Sequence, residues 1–139
     1  MKRGGLGSGR IMSISSKWAK EKLERGEQIG GGSVELFGGP QYTTREHGIR
    51  MLREVVKMGR SGKYTEIHMN RGLNHYSDRV AIPILKPDVG GIRTNGRIDL
   101  VEVPSPKTQT PQMMMDKLTL MQSQLPENQR GKIWISEIE

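Results

Sequence analysis

Thr94-Asn95-Gly96 separates two extended and largely apolar runs, residues 88–93 and 97–103. Turn residues between two such runs leave the stretch little choice but a β-hairpin. The second run, Ile98-Asp99-Leu100-Val101-Glu102-Val103, is nearly continuous in apolar character, as expected of a strand covered on both faces. Glu102 lies within it. A buried, unpaired carboxylate costs several kcal/mol, so Glu102 requires a partner such as a metal, an arginine or a set of donors. Asp88 opens the preceding strand, and the turn decides whether the two meet. A loop of Asn95 and Gly96 alone sets Asp88 against Val103 and sends Asp88 and Glu102 to opposite faces. A three-residue loop with Gly96 left-handed gives the type I turn with a bulge. Residue 93 then pairs with 97, and Asp88 falls opposite Glu102, subject to any bulge at Gly90-Gly91. Opposed Cβ atoms stand about 4.5–5.5 Å apart. Two carboxylates that close repel, and a hard divalent cation with oxygen ligands resolves the conflict. A structural ion pair with a nearby Arg or Lys is the alternative.

The rest of the chain surrounds this hairpin with helices. Thr43-Thr44-Arg45-Glu46 is a capping-box pattern, followed by Ile49, Leu52 and Val56 at helical spacing and Gly59 as a stop. Residues 64–69 read as a strand, 70–79 as a polar loop, and 80–85 as an extended segment in which Pro83 argues for an edge or a bend. Thr110-Pro111 is a cap and first-turn proline. Met114, Leu118, Met121 and Leu125 then recur on one face until Pro126, and 132–138 is a last strand. Residues 1–40 read as a flexible basic leader with a possible short helix over 13–25, and glycines surround 34–37. The expectation is an α/β fold, with helices flanking a mixed sheet that the second helix's crossover re-enters.

Charge suggests the partner. The 139-residue chain carries 22 Lys and Arg against 15 Asp and Glu, a net charge of +7. Such a field attracts polyanions, nucleic acid first. The absence of cysteine removes disulfides, thiol nucleophiles and Cys-ligated zinc. No apolar run is long enough to span a bilayer, and no apolar core follows the charged start, so no secretory signal is read. Arg45, Arg50, Arg53, Lys57, Arg60 and Lys63 form a basic belt that either tracks phosphates or is a solvated helix face. Lys86, Arg93 and Arg97 are further candidates for nucleic-acid contact. One Phe and scattered Tyr offer no stacking platform for a dedicated single-strand binder.

Pro87-Asp88, followed fourteen positions later by Glu102 on an apolar strand, resembles the PD-(D/E)xK (restriction-endonuclease-like) nuclease superfamily. That family's αβββαβ core is similar in order to residues 43–138. The closer resemblance is to C-terminal nuclease modules of bacterial polymorphic toxins, RHS-repeat proteins among them. It lies in Lys86-Pro87-Asp88-Val89 and in Gly96-Arg97-Ile98-Asp99-Leu100-Val101-Glu102-Val103, followed by a Ser and a helix, and covers about residues 64–138. The resemblance implies a nuclease domain over 41–139 that hydrolyses phosphodiester bonds of DNA (or RNA) with Mg2+ or Mn2+ held by Asp88 and Glu102. It also implies delivery on a larger secreted carrier into the cytoplasm of a target cell, and neutralisation by an acidic immunity protein. The family's lysine would stand at position 104, where this chain has Pro104. Lys107 or Lys86 is then the candidate for that charge, with Gln109 a polar substitute.

Other candidates have two readings each. Glu46 is a capping-box residue or the extra carboxylate this superfamily often places on its first helix. Ser105 contacts a phosphate or caps a turn. Asp99 has the opposite strand parity from Glu102 and reads as a hairpin-end residue. His47, His68 and His75 have no motif spacing and read as packed or solvated residues, although a metal-independent ribonuclease would use such histidines. A basic nucleic-acid-binding module without catalysis is the remaining alternative.

Overall fold

In a computed structural model, which describes residues 34–39, 45–80, 82–104 and 109–136, the chain forms one five-stranded mixed sheet flanked by two helices. The elements in chain order are β1 (Glu35–Gly38), α1 (Arg45–Arg60), β2 (Tyr64–Met69), β3 (Val89–Arg93), β4 (Ile98–Glu102), α2 (Pro111–Ser123) and β5 (Arg130–Ile135). Strands follow each other in space as they do in sequence. The β1–β2 and β4–β5 pairs are parallel, and β2–β3 and β3–β4 are antiparallel. The expected α/β architecture is therefore present, with β4 interior and all five of its residues buried.

Strand alternation assigns the two helices to opposite faces. Val101 and Val103 pack with Met51, Leu52, Val55 and Met58 of α1. Ile98 and Leu100 pack with Leu118 and Met121 of α2, and Leu125 just beyond it. The buried face of α1 is centred on Met51, Val55 and Met58 rather than on Ile49, which is only half-buried. At the start of α2, the Thr110 hydroxyl accepts from Met113 N at 3.1 Å, and Pro111 follows at the first helical position, as anticipated. The capping box at Thr43 and the short helix over 13–25 lie outside the described residues.

Two readings are corrected. Residues 80–85 contain no strand among their described members; they belong to a long connection between β2 and β3 that carries one 3-10 turn, Leu73–His75. That connection packs Leu73 and Tyr76 onto the α2 face of the sheet, beside α2. The boundary near residue 40 falls inside the folded unit, because Val34 and Leu36 are core residues and β1 pairs with β2.

The hairpin has the three-residue loop. Arg93 N donates to Arg97 O and Gly96 N to Arg93 O, each at 2.8 Å, with Gly96 at φ +87°. Pairing runs Ile92–Ile98, Gly91–Asp99, Gly90–Leu100 and Val89–Val101, with no bulge at the two glycines. Continued by one residue, this register sets Asp88 opposite Glu102. A Cβ on Gly96 would meet nothing within 4 Å, so Gly96→Val is opposed by the backbone alone, at about 1–2 kcal/mol. Thr94→Val, at an exposed position, is expected to stay within about 0.5 kcal/mol. Denaturant midpoints of the two variants, with unchanged slope, check this.

Candidate functional site

The C-terminal ends of β1, β2, β4 and β5 and the N-terminal end of β3 share one edge of the sheet, and Asp88 and Glu102 meet there. Each carboxylate is tied to the other's strand. Asp88 N donates to Glu102 Oε2 at 3.1 Å, and Val103 N donates to Asp88 Oδ2 at 2.8 Å. The Glu102 side chain is 1% exposed and that of Asp88 15%. From α2, Lys117 Nζ reaches Glu102 Oε1 at 2.9 Å. From α1, His47 Nε2 stands 3.9 Å from Asp88 Oδ1, close enough for electrostatic attraction but beyond hydrogen-bonding distance.

Burial pushes the Glu102 carboxyl above the ordinary carboxylate range, and the neighbouring charge of Asp88 pushes it further. Lys117 and the Asp88 N–H pull part of that shift back. The site is thus short of positive charge, which a cation would supply. Two carboxylates meet what Mg2+ asks of a protein, since that ion keeps waters and takes phosphate oxygens for the rest of its shell. Each bonded oxygen retains a lone pair, and Asp88 Oδ1 accepts no hydrogen bond from the described residues. Among the described residues, no group of three or more His, Asp or Glu side chains is placed to hold a metal. Of the described carboxylate and imidazole side chains, an ion here would rest on this pair, with other oxygens completing its shell.

The raised pKa carries a sign. The folded state keeps a proton on Glu102 above the unfolded value near 4.5, so stability falls as pH rises from there toward the folded pKa. Glu102→Gln lacks this penalty, and Lys117, 37% exposed, can turn to water. In EDTA the variant is expected to melt above wild type at pH about 7 and to converge with it below about pH 4.5. Added Mg2+ is expected to raise the wild-type melting temperature alone. A variant that melts lower at neutral pH would mean that the Lys117 pair outweighs burial and repulsion.

The other candidates divide by position. Glu46 does not join the site: its side chain is 71% exposed and lies 3.7 Å from Arg50, one helical turn on. Its neighbour His47, 5% exposed, takes the inward place. Arg50 Nη1 donates to Pro104 O at 3.4 Å and so borders the end of β4. Arg53 and Lys86 are exposed, Lys86 just before the site. Arg93 and Arg97 lie at the far, turn end of the hairpin, where Arg93 pairs with Asp99 and Arg97 with Arg130 O. Gln109 is exposed, and Ser105 and Lys107 lie outside the described residues. His68 is 2% exposed between Tyr76 and Phe37, and His75 is on the connection that follows β2.

Sequence reasoning missed Lys117, and it read His47 as a packed or solvated histidine without placing it beside Asp88. Lys117 follows Met114 by three and precedes Met121 by four, so it shares the edge of the buried stripe of α2. His47 precedes Met51 by four on the buried face of α1. Each spacing signals a side chain on the buried side of its helix, but not which carboxylate it meets.

No known protein family matches the chain, and no curated protein or solved structure matches it. No helix among the described residues is long and apolar enough to cross a membrane.

Proposed function

We propose that this domain is a divalent-metal-dependent nuclease acting on DNA, with Asp88 and Glu102 as the metal-holding carboxylates and Lys117 as the catalytic cation. The observation that carries the reading is a buried Glu102 and a half-buried Asp88 tied to each other's strands across the hairpin, with an ammonium from α2 on Glu102. A bound Mg2+ or Mn2+ would supply a Lewis acid for the phosphate and a hydroxide nucleophile at neutral pH. The protein's own part is to hold the carboxylates rigidly. The reciprocal bonds from Asp88 N and Val103 N fix both side chains to backbone.

Lys117 takes the role expected at position 104. Pro104 cannot act as a cation, and the α2 side chain reaches the same carboxylate from the neighbouring element. Its ammonium holds negative charge on Glu102 and is poised to steady charge that develops on a transferring phosphate. The +7 net charge favours a polyanionic substrate and, for a toxin module carried by a larger protein, an acidic inhibitor. Plasmid incubated with the protein is expected to be nicked with Mg2+ or Mn2+ and to stay intact in EDTA.

A second reading has its own observation. Three of the four carboxylate oxygens already accept a bond from protein, which fits a closed structural ion pair in a binding module without catalysis. DNA binding without cleavage, and no thermal shift with Mg2+, would favour it.

A further inference from the structure

We infer that Arg71, with His75, forms a prebuilt site for a backbone phosphate flanking the Asp88–Glu102 pair. The inference uses the proposed nucleic-acid substrate for the ligand's identity; the site itself stands on separate observations. Four flat groups stack from the interior outward over the β1 side of the sheet. Tyr76, 6% exposed, lies 4.6 Å from His68, and His68 lies 4.7 Å from Phe37 at an interplanar angle of 16°. The Arg71 guanidinium covers the Phe37 ring at 5.5 Å.

Each layer is held. Gly90 leaves room for Tyr76, whose hydroxyl and ring occupy the place a Cβ there would take. His68 Nε2 is 2.9 Å from Glu66 Oε1, which fixes the ring. The Arg71 stem passes over Gly38, where an added Cβ would sit 3.0 Å from Arg71 Cγ. A guanidinium stacked on an aromatic face loses little further freedom when it binds a ligand.

The stack ends in donors. Arginine cannot accept a hydrogen bond, so the 2.7 Å contact between Arg71 Nη2 and His75 Nδ1 makes the imidazole the acceptor. Burial and Arg71 both depress the His75 pKa, in agreement with a neutral ring. Its proton is then on Nε2, on an exposed residue. Among the described residues no carboxylate lies within ion-pairing distance of Arg71. The remaining guanidinium N–H groups and the His75 Nε2–H therefore offer donors without a charge partner, which is what a phosphate oxyanion takes.

Location supplies the link to the carboxylates. Asn70 N donates to Asp88 O at 2.8 Å, and Arg71 is the next residue. Its guanidinium lies over β1, two strands from β3 and so about 10 Å from Asp88 at about 4.8 Å per strand. A strand of nucleic acid whose scissile phosphate met Asp88 and Glu102 would lay a neighbouring phosphate on Arg71.

The test is binding of the full chain to a short fluorescent DNA duplex, in EDTA, across roughly 50–200 mM salt. Arg71→Ala is expected to weaken binding roughly tenfold and to flatten the slope of log K against log salt by about one. Arg71→Lys, which keeps the charge and loses the fork, should fall between and keep the wild-type slope. Wild-type affinity and slope in Arg71→Ala would overturn the inference. Inorganic phosphate that shifts the His75 ring resonances while Arg71→Ala still binds duplex normally would overturn the nucleic-acid assignment in favour of a free phosphate. Because EDTA removes the metal, Arg71-dependent binding by an inactive protein leaves this site standing. Cleavage indifferent to Arg71 leaves the carboxylate site standing.

Discussion

Glu102→Gln and Asp88→Asn are each expected to lower Mg2+-dependent DNA cleavage by about three orders of magnitude, because either loses several kcal/mol of metal-derived stabilisation. Neither variant should lose DNA binding; each removes a charge that repels phosphate, so affinity is expected to hold or rise. Lys117→Met is expected to cost about 10²–10³ in rate, the range for one preorganised group facing developing charge. The three effects should not add, because the side chains act as one unit: Lys117 contacts Glu102 at 2.9 Å, and Asp88 N contacts the same carboxylate at 3.1 Å. Supercoiled plasmid over a metal and time series, with folding verified by melting, provides the measurement. Full activity in Glu102→Gln would end the assignment of the carboxylates. Full activity in Lys117→Met would end only the lysine's role.

The carboxylate pair was legible because its determinants are local. Strand parity and the turn residues Thr94-Asn95-Gly96 fix which face each side chain takes, and the register in the structure follows that count through Val89–Val101. The helices were legible through periodicity and, for α2, through Thr110 and Pro111. Lys117 was not, because its meeting with Glu102 depends on how α2 docks on β4, a tertiary fact that no spacing within the hairpin contains. The same holds for His47. Its place at Asp88 depends on the rotation of α1, whose buried face is set by Met51, Val55 and Met58. β1 escaped notice because 34–37 is short and bounded by glycines; its strand character comes from pairing with β2, not from its own residues. Residues 80–85 read as extended because the segment is apolar, but Ile82 is exposed and the segment makes no ladder.

Asp99→Ala is expected to destabilise the fold by about 3–5 kcal/mol, the range for stranding a partner of a buried charge. Asp99 lies toward the turn end of the hairpin, as its position in the sequence suggests, and it is fully buried. Its Oδ2 accepts from Tyr64 Oη at 2.6 Å and from Arg93 at 2.9 Å, and its Oδ1 accepts from Lys132 N at 2.7 Å. The last bond has a topological cause. Ile98 pairs with Arg130 but Leu100 with Ile133, so Asp99 alone faces two residues of β5, Gly131 and Lys132. The carboxylate thus satisfies a backbone N–H that the bulge takes out of the ladder, and Gly131 admits it, since a Cβ there would collide with Asp99 Oδ1. Removing the carboxylate orphans the Tyr64 hydroxyl and the Lys132 N–H and leaves Arg93, 22% exposed, unpaired. Asp99→Asn keeps an acceptor for Lys132 but puts an amide donor where Oδ2 accepted from Tyr64 and Arg93, so about 1–3 kcal/mol is expected. The same bulge sets the register that brings Ile135 beside Glu102, so Asp99 supports the site without touching it. Asp99→Asn should therefore keep most of its cleavage at low temperature, where Glu102→Gln still shows its full loss. Denaturant midpoints and cleavage rates measured on both variants decide it: an Asp99→Ala protein within about 1 kcal/mol of wild type would mean that the buried network contributes little.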